Sequence, residues 1–243
     1  MTPDKNEIFG RTTLVAGHEM MERMAQTSVI IFGLGGVGSW CAESLVRSGL
    51  GHITLVDPDA VAASNINRQL PATISTIGRP KIEVLAARFA DINPDIDIDI
   101  RTERYTAENA ASFGIADYDY AIDAIDSLAD KATLILEATD PATAPRRAFY
   151  SSMGAARKID PSKIRTAEFW KVEGCPLARA LRTRFRRSGI YPKRKFTCVY
   201  SPESLPHRAQ GEAGVNGTFA PATIIFGTTL ASLIIMNELN LSK

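Results

Sequence analysis

Residues 27–47 read TSVIIFGLGGVGSWCAESLVR, and their order decides the fold. Thr27 to Phe32 is a short apolar and β-branched run of the kind buried on both faces of a parallel sheet. Gly33, Gly35, Gly36 and Gly38 follow, and Val37 to Arg47 then takes helical apolar spacing. A Gly-x-Gly-x-x-Gly between a strand and a helix lets backbone N–H groups at the helix N-terminus approach a phosphate without side-chain obstruction. Asp57 ends the next strand-like run, His52 to Val56, where a carboxylate meets ribose hydroxyls. The unit reads as a nucleotide site, and a nicotinamide oxidoreductase fits this much of it as well as any other nucleotide enzyme.

Outward from this unit the rhythm continues. A helix is predicted from Pro80 to Asn93, and the strict alternation of Asp95 to Arg101 (DIDIDIR) marks a half-exposed strand nearer the sheet edge. Tyr118 to Ile125 reads as a strand, Ser127 to about Ala138 as a helix and Ala148 to Met153 as a strand. Strands alternating with helices imply an α/β, Rossmann-like, mostly parallel sheet covered by helices on both faces. Beyond residue 154, Thr166 to Val172 and Phe196 to Ser201 read as strands and Pro176 to Arg187 as a helix. The layout is an N-terminal arm and helix over 1–26, a nucleotide-binding domain over 27–155 and a C-terminal elaboration over 156–243.

Composition narrows the class. In 243 residues, 45% hydrophobic and 23% charged, there is enough apolar mass for a full core, which excludes disorder and collagen. Lys plus Arg number 28 against 27 Asp plus Glu, a net charge of +1, so any basic surface must be local. Cys41, Cys175 and Cys198 form no Cys-x-x-Cys pair, which argues against a disulfide framework and a four-thiolate zinc site and for a reducing cytoplasm. Met1 to Glu7 is polar and mixed in charge, unlike a signal peptide. The uncharged stretch 213–237 is long enough to cross a bilayer. Its Asn, Thr and Ser residues, with Gly217, Pro221 and Gly227, favour a buried amphipathic helix starting near Pro221 over a transmembrane span.

The residues after Asp57 separate the nucleotide chemistries. Asn65, Arg68 and Gln69 in SNINRQ (64–69), and Lys81 in GRPK (78–81), gather two amides, a guanidinium and an ammonium around one predicted phosphate position. Hydride transfer needs no such set. Attack on an α-phosphate does, because negative charge builds on the phosphoryl oxygens as pyrophosphate leaves. Arg68 offers a planar fork and Lys81 a mobile point charge. In DAIDS (123–127), at the carboxyl end of a central strand, a carboxylate beside phosphates needs a bridging cation, so Asp126 is a candidate magnesium ligand. Asp123 is left to local hydrogen bonding.

GLGGVGS (33–39), LVDPD (55–59), SNINRQ, GRPK and DAIDS, in this order over about the first 155 residues, resemble the successive motifs of the ThiF/MoeB superfamily. Within it the chain is most similar to the tRNA threonylcarbamoyladenosine dehydratases, on FGRT (9–12), Ser39-Trp40, the run GAARKIDPSKI (154–164) and Pro176-Leu-Ala-Arg179 leading into a basic helix. That resemblance implies ATP-dependent adenylation of the threonyl carboxylate of the modified adenosine at tRNA position 37, followed by cyclising dehydration with release of AMP. It implies ATP and Mg2+, with Gly33, Gly35, Gly36, Gly38, Asp57, Asp59, Asn65, Arg68, Gln69 and Lys81 binding the cofactor and Asp126 the metal. The implied catalytic set is Arg68, Lys81, Asp126 and Arg11, the last supplied to the neighbouring subunit of a homodimer. The 27–155 unit becomes the adenylation domain, and the elaboration binds substrate and forms the dimer. A sulfur-transfer protein is a further implied partner. The alternatives are an adenylyltransferase of a ubiquitin-like sulfur carrier, disfavoured by the missing Cys-x-x-Cys pairs, an NAD-dependent oxidoreductase, and a non-catalytic scaffold. No cysteine is read as a nucleophile, since a free cysteine is more often a small buried hydrophobe.

Between Cys175 and Ser201 there is no acidic residue, while Arg179, Arg182, Arg184, Arg186, Arg187, Lys193, Arg194 and Lys195 are all basic. Arg179, Arg182 and Arg186 fall on one helical face. Together with Arg187 and the 193–195 cluster they form the expected tRNA contact, with Phe185, Tyr191, Phe196 and Tyr200 as candidate base-stacking rings and His207 and Arg208 nearby.

Overall fold

In the computed structural model, which describes residues 4–206 and 216–240, β1 (Ser28–Phe32) is the pivot. Val29 and Ile31 belong to one buried cluster, Ile30 and Phe32 to another, and all four are fully buried. A strand whose side chains alternate between two covered faces has no position for a polar residue, which explains the unbroken apolar run. Parallel to β1 lie β2 (His52–Val56) on one side and β4 (Tyr120–Asp123) on the other. With β3 (Asp97–Arg101), β5 (Ala148–Ser152), β6 (Arg165–Glu168) and β7 (Thr197–Tyr200), the sheet order is β3-β2-β1-β4-β5-β7-β6, and only β6 runs antiparallel. The chain leaves β1 towards β3 and returns on the other side at β4. Parallel sheets bind ligands outside the carboxyl ends of the strands at such a reversal. As the alternation implied, β3 is an edge strand, with Ile98 packed inward and Ile100 exposed.

One face is covered by α2 (His18–Gln26), α3 (Gly38–Val46), α4 (Lys81–Ile92) and α7 (Ala220–Asn240), the other by α5 (Leu128–Thr139) and α6 (Pro176–Ser188). The N-terminal α1 (Lys5–Ala16) starts in a capping box: Glu7 N donates to Asp4 Oδ1 at 2.9 Å and Asp4 N to Glu7 Oε2 at 3.1 Å.

Two expectations are corrected. The strand expected over 166–172 stops at Glu168, because the Glu168 carboxylate accepts from Trp170 N and a tight turn carries Phe169 into the core. α7 is a core helix, but not an amphipathic one. Thr223, Phe226, Gly227, Leu230 and Ile234 are buried, yet its outward side carries Met236 and Leu239. With no charge between 213 and 237, residue size selects the inner side. A Cβ at Gly227 would lie 2.4 Å from the Val37 carbonyl oxygen, so only glycine permits this approach of α7 to α3. By length and composition α7 would suffice to cross a membrane. Here its Glu238 is buried and bonded to Arg147 and to Tyr120 Oη.

Candidate active site

Gly33 leaves β1 with φ +88°, and a Cβ there would meet the Ala124 carbonyl oxygen at 2.7 Å. At Gly38 a Cβ would fall 1.8 Å from the Gly33 carbonyl oxygen. The turn therefore folds back on itself only with glycine at both places, and it brings the N-terminus of α3 to the end of β1. Gly33, Gly35 and Gly36 line a cavity of about 910 Å³, while Gly38 closes the turn and is not in the lining.

Asp57, at the end of β2, accepts from Leu34 N at 2.6 Å through Oδ2 and from Asp59 N at 2.9 Å through Oδ1, tying the glycine turn to the next loop. Burial pushes its carboxyl above the usual carboxylate range, and the Lys81 ammonium 3.7 Å away and the two backbone donors pull it back. Lys81 opens α4, is buried, and donates to Asp59 Oδ2 at 2.8 Å. The point charge read as mobile is thus held in place by two carboxylates.

Arg68 is positioned by its backbone and by its head. Trp40 Nε1 on α3 donates to its carbonyl at 3.1 Å, and its Nη1 donates to Ser64 O and Asn67 Oδ1. Asn65 closes its own turn by accepting from Ala62 N. Gln69 is 8% exposed, and its Oε1 is buried with no hydrogen-bond partner among the described residues. An orphaned amide oxygen in a cavity wall is a ready contact for a ligand donor.

The two carboxylates of DAIDS separate cleanly. Asp123 is fully buried and accepts from Lys131 Nζ at 2.7 Å, Ser151 Oγ at 2.5 Å and Ile125 N at 3.1 Å. Asp126 is exposed and faces the cavity. Arg68 in the connection after β2, Lys81 at the start of α4 and Asp126 in the loop after β4 therefore line one space together with Asp57, Asp59, Asn65 and Gln69. Among the described residues no group of three or more His, Cys, Asp or Glu could hold a metal. An exposed cavity carboxylate such as Asp126 suits Mg2+, which binds through one or two carboxylates plus phosphate oxygens and water. Arg11 is exposed on α1 and does not line the cavity of its own chain.

The wall continues through residues to which the sequence had assigned no role. Arg104 and Asp130, paired at 2.7 Å, are two of them; the turn Gly154 to Lys158 after β5 and Pro176 and Leu177 at the head of α6 are others. Arg104 lies in a stretch with no motif. Lys158 sits inside the quoted 154–164 run, but nothing in its neighbours signalled its burial.

The basic segment divides. Arg179, Arg184, Arg186, Arg187, Lys193, Arg194 and Lys195 are exposed. Arg182 is not on their face: its Nη1 donates to Phe169 O at 3.1 Å and Val172 O at 2.8 Å, so it caps the turn after β6. Phe185, Phe196 and Tyr200 are core residues, whereas Tyr191 is exposed beside Trp170, ring centroids 6.2 Å apart. Trp170 had not been singled out, because the strand expected there hid it. His207 and Arg208 lie outside the described residues. All three cysteines are free and buried, and burial pushes the thiols of Cys41 and Cys198 up, away from the nucleophilic thiolate.

A model of the ThiF family matches residues 9–154. A tRNA threonylcarbamoyladenosine dehydratase of Bacillus subtilis (strain 168) is 40% identical over 196 residues, which cover 81% of this chain and 75% of the relative. The E. coli tRNA N6-threonylcarbamoyladenosine dehydratase TcdA, solved in complex with ATP, is similar with a TM-score of 0.86 at 32% identity, over 98% of this chain and 96% of that one. The sulfur carrier protein ThiS adenylyltransferase of Escherichia coli (strain K12) is 36% identical over 110 residues, 45% of this chain and 43% of the relative.

Proposed function

The chain belongs to the ThiF family, and from that premise we infer that it uses ATP to dehydrate the threonylcarbamoyladenosine of tRNA. The observation that carries this reading is the single cavity shared by the glycine turn, Asp57, Arg68, Lys81 and Asp126, in a chain similar over most of its length to dehydratases of that name. The likeness to a protein solved with ATP favours ATP over a nicotinamide dinucleotide, and the sulfur-carrier enzyme is matched over less than half of the chain.

In this reading the N–H groups of the glycine turn and the N-terminus of α3 cradle the phosphates. Asp57 faces the ribose hydroxyls, with Asp59 beside it. Arg68, Lys81, Asn65 and Gln69 oppose the negative charge that grows at the α-phosphate as the threonyl carboxylate attacks and pyrophosphate departs. Asp126 would hold Mg2+, which supplies further neutralisation of the phosphate charge. The activated carboxyl then meets a nucleophile of its own side chain, the ring closes and AMP leaves. No protein nucleophile is needed, in keeping with three buried cysteines.

The tRNA backbone follows the exposed Arg179, Arg186 and Arg187 of α6 and Lys193, Arg194 and Lys195, with Trp170 and Tyr191 as a stacking platform for unpaired bases. The protein acts as a homodimer in which Arg11 enters the partner's cavity. Support comes from the absence of Arg11 from its own cavity and from large exposed apolar side chains on α1 (Leu14, Val15), the loop before α4 (Ile74) and α7 (Met236).

The test is AMP release from ATP with tRNA bearing the threonylcarbamoyl group against tRNA lacking it. Release is expected only with the modified tRNA, and Arg68→Ala should slow it by about 10²–10³-fold with an unchanged circular dichroism spectrum. Equal release with both tRNAs, or a melting temperature raised by NAD rather than by ATP, would overturn the reading.

A further inference from the structure

The cavity follows the carboxyl edge of four adjacent strands, β2, β1, β4 and β5, roughly 14 Å at ~4.8 Å per strand. The residues assigned above to the nucleotide lie after β2, β1 and β4. The turn after β5, Gly154 to Lys158, lines the same space beyond the residues assigned to ATP. Lys158 is 2% exposed, yet among the described residues it makes no hydrogen bond and no ion pair. The other two buried lysines are both satisfied, Lys81 by Asp59 and Lys131 by Asp123.

The charges around Lys158 do not complete it. Glu203 is already occupied, accepting from Ile159 N at 2.7 Å and Asp160 N at 3.1 Å and facing Lys163 at 3.8 Å. Cys175, the largest of the neighbouring influences, and Glu203 oppose the effect of burial without bonding to the ammonium, and Arg157 adds a like charge. Burial holds the Lys158 ammonium below its usual range. The backbone is fixed as well. Arg157 has φ 59°, the one positive value at a non-glycine residue among those described; its N donates to Gly217 O, and its carbonyl accepts from Leu205 N. Such strain persists only where the surroundings over-determine it, and it is a mark of ligand clamps.

The ammonium itself opens onto the cavity, and a partly desolvated cation that no protein group pairs is a ready partner for an anion arriving there. The phosphates already face Arg68 and Lys81. The second anion of the reaction is the substrate carboxylate, which the α-phosphate repels. Resting on the dehydratase reading, we propose that Lys158 is the carboxylate-binding residue: its ammonium receives the threonyl carboxylate at the β5 end of the cavity and holds it against the α-phosphate. Once the carboxylate is adenylated its charge is gone and that attraction with it, so Lys158 acts on substrate binding more than on later steps.

Lys158→Met, Lys158→Gln and Lys158→Arg test this. In the wild type, modified tRNA should bind more tightly than unmodified tRNA. Lys158→Met should bind unmodified tRNA as well as the wild type does, lose that preference, and raise KM for modified tRNA about 10- to 100-fold, the worth of one charged hydrogen bond. Its ATP-induced rise in melting temperature should remain, and its melting temperature without ligand should not fall, since a buried charge has been removed. Lys158→Arg should recover part of the preference. If Lys158→Met fails to fold, Lys158→Gln carries the same comparison. An unchanged preference and KM in the neutral variants overturns the role of Lys158 while leaving the dehydratase reading intact. Failure of the wild type to release AMP from modified tRNA overturns that reading instead.

Discussion

Two lysine–aspartate pairs flank the central strand, Asp57 with Lys81 past β2 and Asp123 with Lys131 past β4. Both carboxylates end a strand and both ammonium groups are buried. The second pair is closed: both side chains are at 0% exposure, and Ser151 and Ile125 N take up the remaining capacity of Asp123. The first is open, since its third member, Asp59, is 65% exposed, the group lines the cavity, and Asp57 is left with a raised pKa. The same residue types at the same place in the fold thus divide into a structural tie and a ligand-facing group. What divides them is whether the protein itself completes the hydrogen-bonding shell.

Removing one lysine from each pair gives the largest expected contrast. Lys131→Met strands a buried carboxylate and should destabilise the protein by about 3–5 kcal/mol, seen as a drop in melting temperature of roughly 6–20 °C, with turnover retained in the folded fraction. Lys81→Met should change melting less, because Asp57 can be solvated from the cavity, and should cut AMP formation by about two to three orders of magnitude. If Lys81→Met loses stability and Lys131→Met loses turnover, the two assignments are exchanged.

Legibility in the sequence follows the same division. The alternation of DIDIR marked the edge strand β3, and the unbroken TSVIIF marked a strand covered on both faces, because a two-residue period reports burial directly. The glycine turn, Lys81 and Asp126 were legible because each stands beside a strand end or helix start that could be located, and Arg68 because it sits in the SNINRQ run. Arg104, Asp130 and Lys158 were not, since their place in the cavity arises from segments remote in the chain, two loops and the first turn of α5, that converge only in three dimensions. For α7, a helix without charged residues has no pattern from which to assign its faces, and Gly227 decides by size alone. Arg182 shows the limit of helical-face counting: spacing put it with Arg179 and Arg186, but the carbonyls of Phe169 and Val172 claimed it.

On α6 the contrast between inward and outward groups recurs on a smaller scale, within one helix. Arg182→Ala leaves two carbonyl oxygens short of a donor and should lower stability by about 1–3 kcal/mol, while the salt dependence of tRNA affinity stays as in the wild type. Arg186→Glu combined with Arg187→Glu should leave melting nearly unchanged and reduce the slope of log affinity against log salt by roughly one to two, the contribution of two phosphate contacts at about 0.7–0.9 each. Measuring both variants across a salt series separates a guanidinium spent on the fold from those left for the nucleic acid. A flattened slope for Arg182→Ala, or an unaltered slope for the double variant, would move the tRNA path off α6 and onto another face.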